Sequence, residues 1–378
     1  MPDLKKIKGF ASVGIADVIG TGITAFFWFF IATLMDPEKY GEIFFILGIA
    51  TMVSSFANLA HQNSIVVYVA KKIKIQSTLY FISLCSAVAS SIILMIIFYR
   101  IEPGLLVLGY VINTLAIGEL LGRKSFVAYS KYFLLQKVLT VTLGITFFYV
   151  FGPEGVLFAI AISYSGFIVQ VIRGLKDSPI DFSCVKPRIE FIANNYFVGI
   201  LGVLRNHIDK VIIPTILNFS VLGNFALAEQ VITALMVLPA IVFKLTVPQD
   251  ASGESTAKIK KLTIIASIGF TLIGVFVAPI AIPIFFASYI DAVSAIQILS
   301  FSIVPTTITF MLTSKFLGHE KNRIILVGRI LNLVVLVPGM ILLGLNYGID
   351  GIAIAWLIAH SLEMLLLSSI FLKDRYKT

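Results

Sequence analysis

The fold is decided by apolar runs such as the one inside residues 71–100, KKIKIQSTLYFISLCSAVASSIILMIIFYR. Residues 78–99 carry no charge and are long enough to cross a hydrocarbon core of roughly 30 Å as a helix. Three lysines precede this run, whereas a single arginine follows it. The same asymmetry recurs along the chain, and it predicts both the class of protein and its orientation.

Twelve apolar runs of this kind are predicted to be membrane-spanning helices. Their predicted bounds are 10–34, 41–70, 78–99, 104–122, 132–151, 154–172, 189–217, 221–247, 262–286, 291–316, 324–344 and 349–372. The composition agrees, because 58% hydrophobic residues and a mean hydropathy of +0.99 lie far outside the range of soluble domains. We therefore expect an all-α, polytopic membrane protein.

The basic residues fall mainly into every second gap between the runs. Of the 29 Lys and Arg residues, 21 lie in gaps of one parity, and the alternate gaps hold only Lys39 and Arg100. The 21 are Lys5, Lys6, Lys8, Lys71, Lys72, Lys74, Arg123, Lys124, Lys131, Arg173, Lys176, Lys186, Arg188, Lys258, Lys260, Lys261, Lys321, Arg323, Lys373, Arg375 and Lys377. Because basic loops resist translocation, we expect a multi-pass cell-membrane protein with both termini in the cytoplasm.

The net charge of +9 has no features of a nucleic-acid site, since it is dispersed over helix ends without interleaved aromatics. Membrane lipids with anionic headgroups are its expected partners. Cys85 lies in a span and Cys184 in a loop, so the cysteines indicate neither a disulfide framework nor a metal site.

The segment 173–188 is the predicted linker between two halves of six spans each. It separates an N-terminal lobe, 1–172, from a C-terminal lobe, 189–378. Two echoes relate the halves: 151–156 (FGPEGV) resembles 347–352 (YGIDGI), and 33–41 resembles 215–223. Because both halves begin and end on one side, the repeat predicts two six-helix lobes related by a pseudo-twofold axis along the membrane normal. Alternatively, the two echoes reflect no repeat, because Gly and acidic residues are common in any tight turn.

Several short motifs, in this order and spacing, resemble one family of transporters. They are IDKVII at 208–213, LGNFALA at 222–228 and YGIDGIA at 347–353. The chain is similar over its length to the multidrug/oligosaccharidyl-lipid/polysaccharide (MOP) flippase superfamily, and within it to the Wzx-like polysaccharide biosynthesis and export branch. Leu222 departs from the pattern, because an aromatic residue is usual there.

The resemblance implies a flippase that moves a polyprenyl-phosphate- or diphosphate-linked oligosaccharide from the cytoplasmic to the exterior leaflet by alternating access. Polysaccharide-assembly enzymes are its implied partners. A multidrug cation exporter of the same superfamily is the alternative. The excess of intramembrane cations, six against four acids, favours an anionic substrate.

Charged residues inside the spans are the predicted site, because a charge in hydrocarbon is costly. Arg205 and Asp209, four residues apart, are predicted to share a helical face. Lys210 and Glu229 are predicted to lie at similar depth, so they can form a pair. We expect Arg205 and Lys210 to bind substrate phosphates, with Asp209 and Glu229 neutralising them between turnovers. The alternative is a structural network that joins two helices.

Three further charges are candidates. Lys137 and Arg329 occupy equivalent spans, the fifth and eleventh, and are expected to place a cation on each wall of a cytoplasm-facing mouth. Alternatively, their long stems carry the charge to the interface. Asp17 is the candidate for ion coupling, or else it is an acid paired to a neighbouring cation. Glu119 and Glu363 are expected to be interfacial.

The sequence contains no nucleophile elbow, phosphate loop or metalloprotease motif. We therefore expect a protein that is not an enzyme and needs no cofactor or metal. A membrane-embedded polysaccharide polymerase or glycosyltransferase is the alternative from a different class.

Cysteine accessibility tests the predicted orientation. In a background lacking Cys85 and Cys184, a membrane-impermeant reagent added outside should modify a cysteine at Lys39 or Arg100. Cysteines at Lys72, Lys176 and Lys260 should be protected until the membrane is opened. The reverse labelling pattern would show that the orientation is wrong.

Overall fold

A computed structural model describes residues 4–253, 255–319 and 321–375, so Lys377 lies outside the described residues. The described residues form α-helices and short 3-10 helices without a β-strand. The helical bounds, with span breaks included, are Leu4–Leu34; Pro37–Ala57 and Gln62–Ala70; Gln76–Phe98; Glu102–Gly122; Phe126–Phe151; Pro153–Ser163, Tyr164–Phe167 and Ile168–Leu175; Ile189–His207 and Asp209–Ile216; Phe219–Leu235 and Val237–Ala251; Ala257–Phe285; Ala292–Ser300 and Ile303–Gly318; and Asn322–Arg375. This order confirms the all-α prediction.

Twelve spans account for these helices. Eight helices are long and apolar enough to cross a membrane, and two bent pairs bring the number to ten. The helix Asn322–Arg375 contains two spans, because Gly348 interrupts it with non-helical backbone angles. The two helices from Ile189 to Ile216 form the remaining span, the seventh along the chain. The chain is therefore a multi-pass membrane protein with the twelve spans predicted from its sequence.

Proline explains two of the broken spans. The eighth span bends by 51° at Met236, and the tenth bends by 43° between Ser300 and Ile303. Pro239 and Pro305 follow these breaks by a few residues. Each lacks the N–H that would bond to the carbonyl four residues earlier, and its ring crowds that carbonyl. The helix therefore divides there.

The chain forms two compact units, Met1–Phe27 with Ile46–His207, and Trp28–Phe45 with Ile208–Thr378. Segment 28–45 of the first half is thus grouped with the second half of the chain, and 189–207 is grouped with the first. Two of the boundaries between the units, at 27/28 and 45/46, fall inside the helices Leu4–Leu34 and Pro37–Ala57. The lobe bounds 1–172 and 189–378 remain a division predicted from the sequence.

The sequence echo before the sixth and twelfth spans corresponds to one repeated turn. Gly152 and Gly348 have φ angles of 74° and 58°, with ψ of −161° and −137°. This backbone region is essentially restricted to glycine. Three residues later, a methyl group added at Gly155 or Gly351 would overlap the carbonyl of Phe147 or Leu343, respectively. Both halves therefore close their last hairpin in the same way.

The second echo is also structural. The Asp36 carboxylate accepts a hydrogen bond from the Lys39 N–H (2.8 Å), and the Asn218 side chain accepts one from the Val221 N–H (2.9 Å). Each side chain caps the helix that follows it, by satisfying an N–H of the first turn. The second and eighth spans therefore begin with equivalent caps.

These two capped helices also meet through equivalent surfaces, inside the second compact unit. A methyl group at Gly41 would overlap the carbonyl of Phe219, and one at Gly223 would overlap the carbonyl of Pro37. Each glycine thus lies against the first residue of the other helix. Close backbone approach of this kind requires a residue without a side chain. The reciprocity is that of a local twofold axis.

Alanine at these glycines tests the importance of the contact. Gly41→Ala and Gly223→Ala should each lower the free energy of unfolding by at least about 1–3 kcal/mol, because a backbone carbonyl cannot rotate away from the added methyl group. Gly269→Ala in the ninth span is the matched control, since nothing lies within 4 Å of its added methyl group. Thermal unfolding in detergent is the measurement. Equal stability of all three variants would contradict the close contact.

Candidate functional site

The candidate site begins at a break in the seventh span. One helix ends at His207, Ile208 forms a turn, and the next helix starts at Asp209. Asp209 is completely buried and Lys210 is only 6% exposed. The break therefore places an acid and a base together within the membrane region.

Lys210 binds two carboxylates. Its Nζ lies 2.6 Å from Asp209 Oδ2, and it also donates a hydrogen bond to Glu229 Oε2 on the eighth span. The sequence predicts the Lys210–Glu229 pair from their equal distance to the turn that joins the two spans. That pair is present. Asp209, Lys210 and Glu229 are called the carboxylate–lysine triad below.

The triad holds one positive charge against two negative charges when all three groups are ionised. An uncompensated charge in a buried site is strongly unfavourable, so a proton or a small cation is needed for neutrality. Asp209 Oδ1 has no hydrogen-bond partner among the described residues. The triad therefore has both the charge and an acceptor atom for one cation.

Arg205 is not part of a continuous helix with Asp209. It is half-buried near the end of Ile189–His207, which belongs to the first compact unit, whereas Asp209 belongs to the second. The predicted shared face assumed one unbroken helix. The turn at Ile208 interrupts that helix between the two residues.

Asp17 is held by the fifth span. Tyr129 donates a hydrogen bond to Asp17 Oδ1 (2.8 Å), and Lys137, two turns further along the same span, interacts with Asp17 electrostatically. The Lys137 ammonium also lies 5.3 Å from the centre of the Phe133 ring. Asp17 therefore has a hydrogen-bond partner on a neighbouring span, and its role in ion coupling stays a prediction.

Arg329 differs from Lys137 in its surroundings. It is half-buried in the eleventh span, and its guanidinium makes no ion pair or hydrogen bond within residues 4–253, 255–319 and 321–375. The predicted symmetry of the two cations therefore does not extend to their partners.

Glu119 and Glu363 are buried, with 3% and 2% exposure. Glu119 accepts hydrogen bonds from Arg123 Nε (2.8 Å) and from the Tyr80 hydroxyl (3.2 Å). Glu363 accepts one from Asn332 (3.1 Å). Neighbouring spans cover both side chains, and the expected depth of the two acids near the membrane interface stays a prediction.

Another polar cluster joins the helices of the second compact unit where the eighth and ninth spans meet. Asp250 binds Lys260, Ser314 and Thr256. Burial alone would raise the pKa of the Asp250 carboxyl, but these three hydrogen bonds outweigh it and hold that pKa below its ordinary value. Asp250 therefore stays ionised, and its ion pair and hydrogen bonds hold these helices together.

The sequence missed Tyr129 as the partner of Asp17. A tyrosine in an apolar helix gives no signal that distinguishes packing from hydrogen bonding, so only the relative rotation of the first and fifth spans reveals it.

Comparisons of the fold with solved structures identify its type. A multidrug resistance MATE-family transporter of the MOP superfamily, in its inward-facing conformation, is 16% identical, with a TM-score of 0.71 and coverage of 95% of this chain and 94% of that chain. The outward-facing conformation of such a transporter gives 0.65 at 16% identity, covering 98% and 96%. This chain therefore has the same fold as these transporters.

A third structure with the MOP fold is a transporter from Pyrococcus furiosus. It is 16% identical, with a TM-score of 0.65 and coverage of 98% of this chain and 96% of that chain. That protein is described as having a binding pocket of reversed polarity that suggests a different function. No protein-family profile and no curated protein sequence matches this chain.

Removal of the Lys210 ammonium tests the triad as a buried ion cluster. Lys210→Met leaves two buried carboxylates without a cation and should lower the free energy of unfolding by about 3–5 kcal/mol. The triple variant Asp209→Asn, Lys210→Met, Glu229→Gln removes all three charges and should recover much of that loss. Thermal unfolding of purified protein is the measurement. Wild-type stability of Lys210→Met alone would contradict the buried cluster.

Proposed function

We propose that this protein is a transporter of the cell membrane that exports its cargo by alternating access, coupled to a cation bound at the carboxylate–lysine triad. The observation that carries this proposal is the excess carboxylate around Lys210. The MOP fold, which solved transporters adopt in inward- and outward-facing conformations, supports it. With both termini in the cytoplasm, cargo leaves toward the side of the short turns.

The triad favours coupling over phosphate binding. Lys210 is already neutralised by two carboxylates, so a substrate phosphate would have to displace one of them and leave it buried and unpaired. A proton or sodium ion instead completes the charge balance. Binding of the coupling cation and of a cationic cargo at the same carboxylates would then be mutually exclusive, which is the requirement for exchange.

Asp17 is a second proposed coupling group, in the first compact unit. Its carboxylate accepts a hydrogen bond from Tyr129, and Lys137 lies two turns further along the same span as Tyr129. A change in the charge of Asp17 therefore alters the contact between the first and fifth spans.

An organic cation is the cargo that these charges favour. The excess of six cations over four acids in the spans suggested an anionic substrate. However, Lys210 has two carboxylate partners, and Lys137 lies beside Asp17. Lys244 and Lys315 are exposed, Lys315 in the last turn of its helix. The remaining excess is too small to attract a phosphate group.

A lipid-linked oligosaccharide is the second candidate cargo. Arg329, half-buried and without an ion pair or hydrogen bond among the described residues, is the observation that favours it, together with the Wzx-like motifs. A phosphate group is a natural partner for such a guanidinium. The solved Pyrococcus furiosus transporter of this fold is described as having a binding pocket of reversed polarity, which is consistent with a different cargo for a protein of this fold.

Reconstitution into liposomes distinguishes the two cargoes. Translocation of a cationic dye and of a polyprenyl-linked oligosaccharide is followed separately, with an imposed proton or sodium gradient. We expect gradient-dependent movement of the dye. Movement of the glycolipid without the dye would contradict the proposed cargo and favour the flippase interpretation.

Neutral variants of the triad test the coupling. Asp209→Asn with Glu229→Gln should reduce gradient-driven dye transport by about tenfold or more, within the 5–150-fold typical of coupling between two ligands. Glu154→Gln, an exposed carboxylate paired with Arg100, is the matched control and should transport normally. Undiminished gradient dependence in the triad variant would show that the triad is only structural.

A further inference from the structure

A cavity in the first compact unit opens among basic helix ends, and it is lined by none of the triad residues. It has a volume of about 480 Å³, which is within the range of small-ligand pockets. Its lining includes Lys72, Lys74, Gln76, Arg123, Lys124 and Asp177. The cavity thus combines four basic side chains with one buried amide and one acid.

Two of its lysines occupy strained backbone positions. Lys72 and Lys124 have φ angles of 54° and 57°, in the left-handed region that favours glycine. Each is the second residue after the end of a helix, and both helix ends are closed by the same pattern of backbone hydrogen bonds. Ile73 N–H donates to Tyr68 O (3.0 Å), and Ser125 N–H donates to Leu120 O (2.8 Å). Glycine is the usual residue at this position of such a cap. A lysine there costs backbone strain, which indicates that its side chain has a role.

Half of the formal positive charge around the cavity is uncompensated. Arg123 binds Glu119 and Asp177, at 2.8 Å each. The ammonium groups of Lys72, Lys74 and Lys124 make no ion pair or hydrogen bond within the part of the chain that the structure describes. Four cations against the two carboxylates leave a formal charge of +2 at the cavity.

The cavity also presents hydrogen-bond donors without acceptors. Gln76 is only 4% exposed, and its Nε2 has only a weak contact with the Tyr80 hydroxyl and no full hydrogen bond among the described residues. Gln76 is the first residue of the third span, and the residue before it, Ile75, supplies no side-chain acceptor for the N–H groups of the first turn. A buried donor without an acceptor is costly, and a helix start without a cap favours an anion.

We infer that this cavity is a binding site for a phosphate group, held by Lys72, Lys124 and the Gln76 amide. A phosphate brings several acceptor oxygens and negative charge, which are what the unpartnered donors and the lysines lack. The group belongs either to the headgroup of an anionic lipid at the basic side of the membrane or to a soluble phosphate. The site is independent of the transport proposed for the triad.

Glycine substitutions separate this role from a structural one. Glycine keeps the left-handed backbone and removes the cation, so Lys72→Gly with Lys124→Gly should not lower the unfolding temperature of the unliganded protein. Its affinity for phosphate should nevertheless fall by about tenfold for each lysine. Tyr99→Gly is the matched control, because Tyr99 also has a positive φ (53°) but does not line the cavity.

Gln76→Leu separates a specific site from general attraction by positive charge. This variant has the same charge as the wild type but lacks the buried amide, so it should also lose most of its phosphate affinity. Lys186→Ala removes an exposed cation that does not line the cavity, and it should bind as the wild type does.

Two measurements on the full-length protein identify the source of the phosphate. One is thermal stabilisation in detergent by inorganic phosphate, with potassium chloride of equal ionic strength as the reference. The other is thermal stabilisation in phosphatidylcholine nanodiscs with and without phosphatidic acid. Stabilisation that is lost in the lysine and Gln76 variants supports the site, and the arm in which it occurs shows the source. No stabilisation of the wild type in either arm, or full stabilisation of Gln76→Leu, would overturn the proposal.

Discussion

An ammonium group buried among membrane-spanning helices must find its counter-charge within the protein, and Lys210 finds two carboxylates. Asp209 is adjacent in the chain, beyond the break at Ile208, and Glu229 is contributed by the next span. Hydrocarbon offers no other partner for any of the three groups. The pairing of the seventh and eighth spans therefore depends on these charges. The second carboxylate leaves the cluster one proton or cation short of neutrality, which connects the packing of two helices to the proposed coupling.

The eighth span is also positioned by close backbone contacts with the second span, which leave little freedom. Gly223 near the start of the eighth span and Gly41 near the start of the second lie against each other's first-turn carbonyls. Because neither contact includes a side chain that can rotate, the helices are fixed at the turn side of the membrane region. Glu229 of the triad lies deeper along the eighth span.

Helix number, the repeat and the Lys210–Glu229 contact could be predicted because each depends on regular geometry. The length of an apolar run determines whether it can cross the membrane. Two residues at equal distances from the turn that joins their helices lie at equal depth in the membrane. The break at Ile208 could not be predicted, since no proline or glycine stands there. For the same reason the charge excess alone could not identify the partner of each cation, because those partners depend on helix rotation, as with Lys137 and Asp17. The cavity of Lys72 and Lys124 was also missed, because a left-handed lysine is fixed by its cap and leaves no pattern in the sequence.

The central claim is that the triad holds a cation that cargo displaces. Its most direct test is the release of protons or sodium ions when a cationic dye binds purified protein in weakly buffered detergent. We expect about one ion released per dye bound by the wild type, and none by the Asp209→Asn, Glu229→Gln variant, because charge balance at the triad allows only one cation. Dye binding by the wild type without release of either ion would contradict the claim.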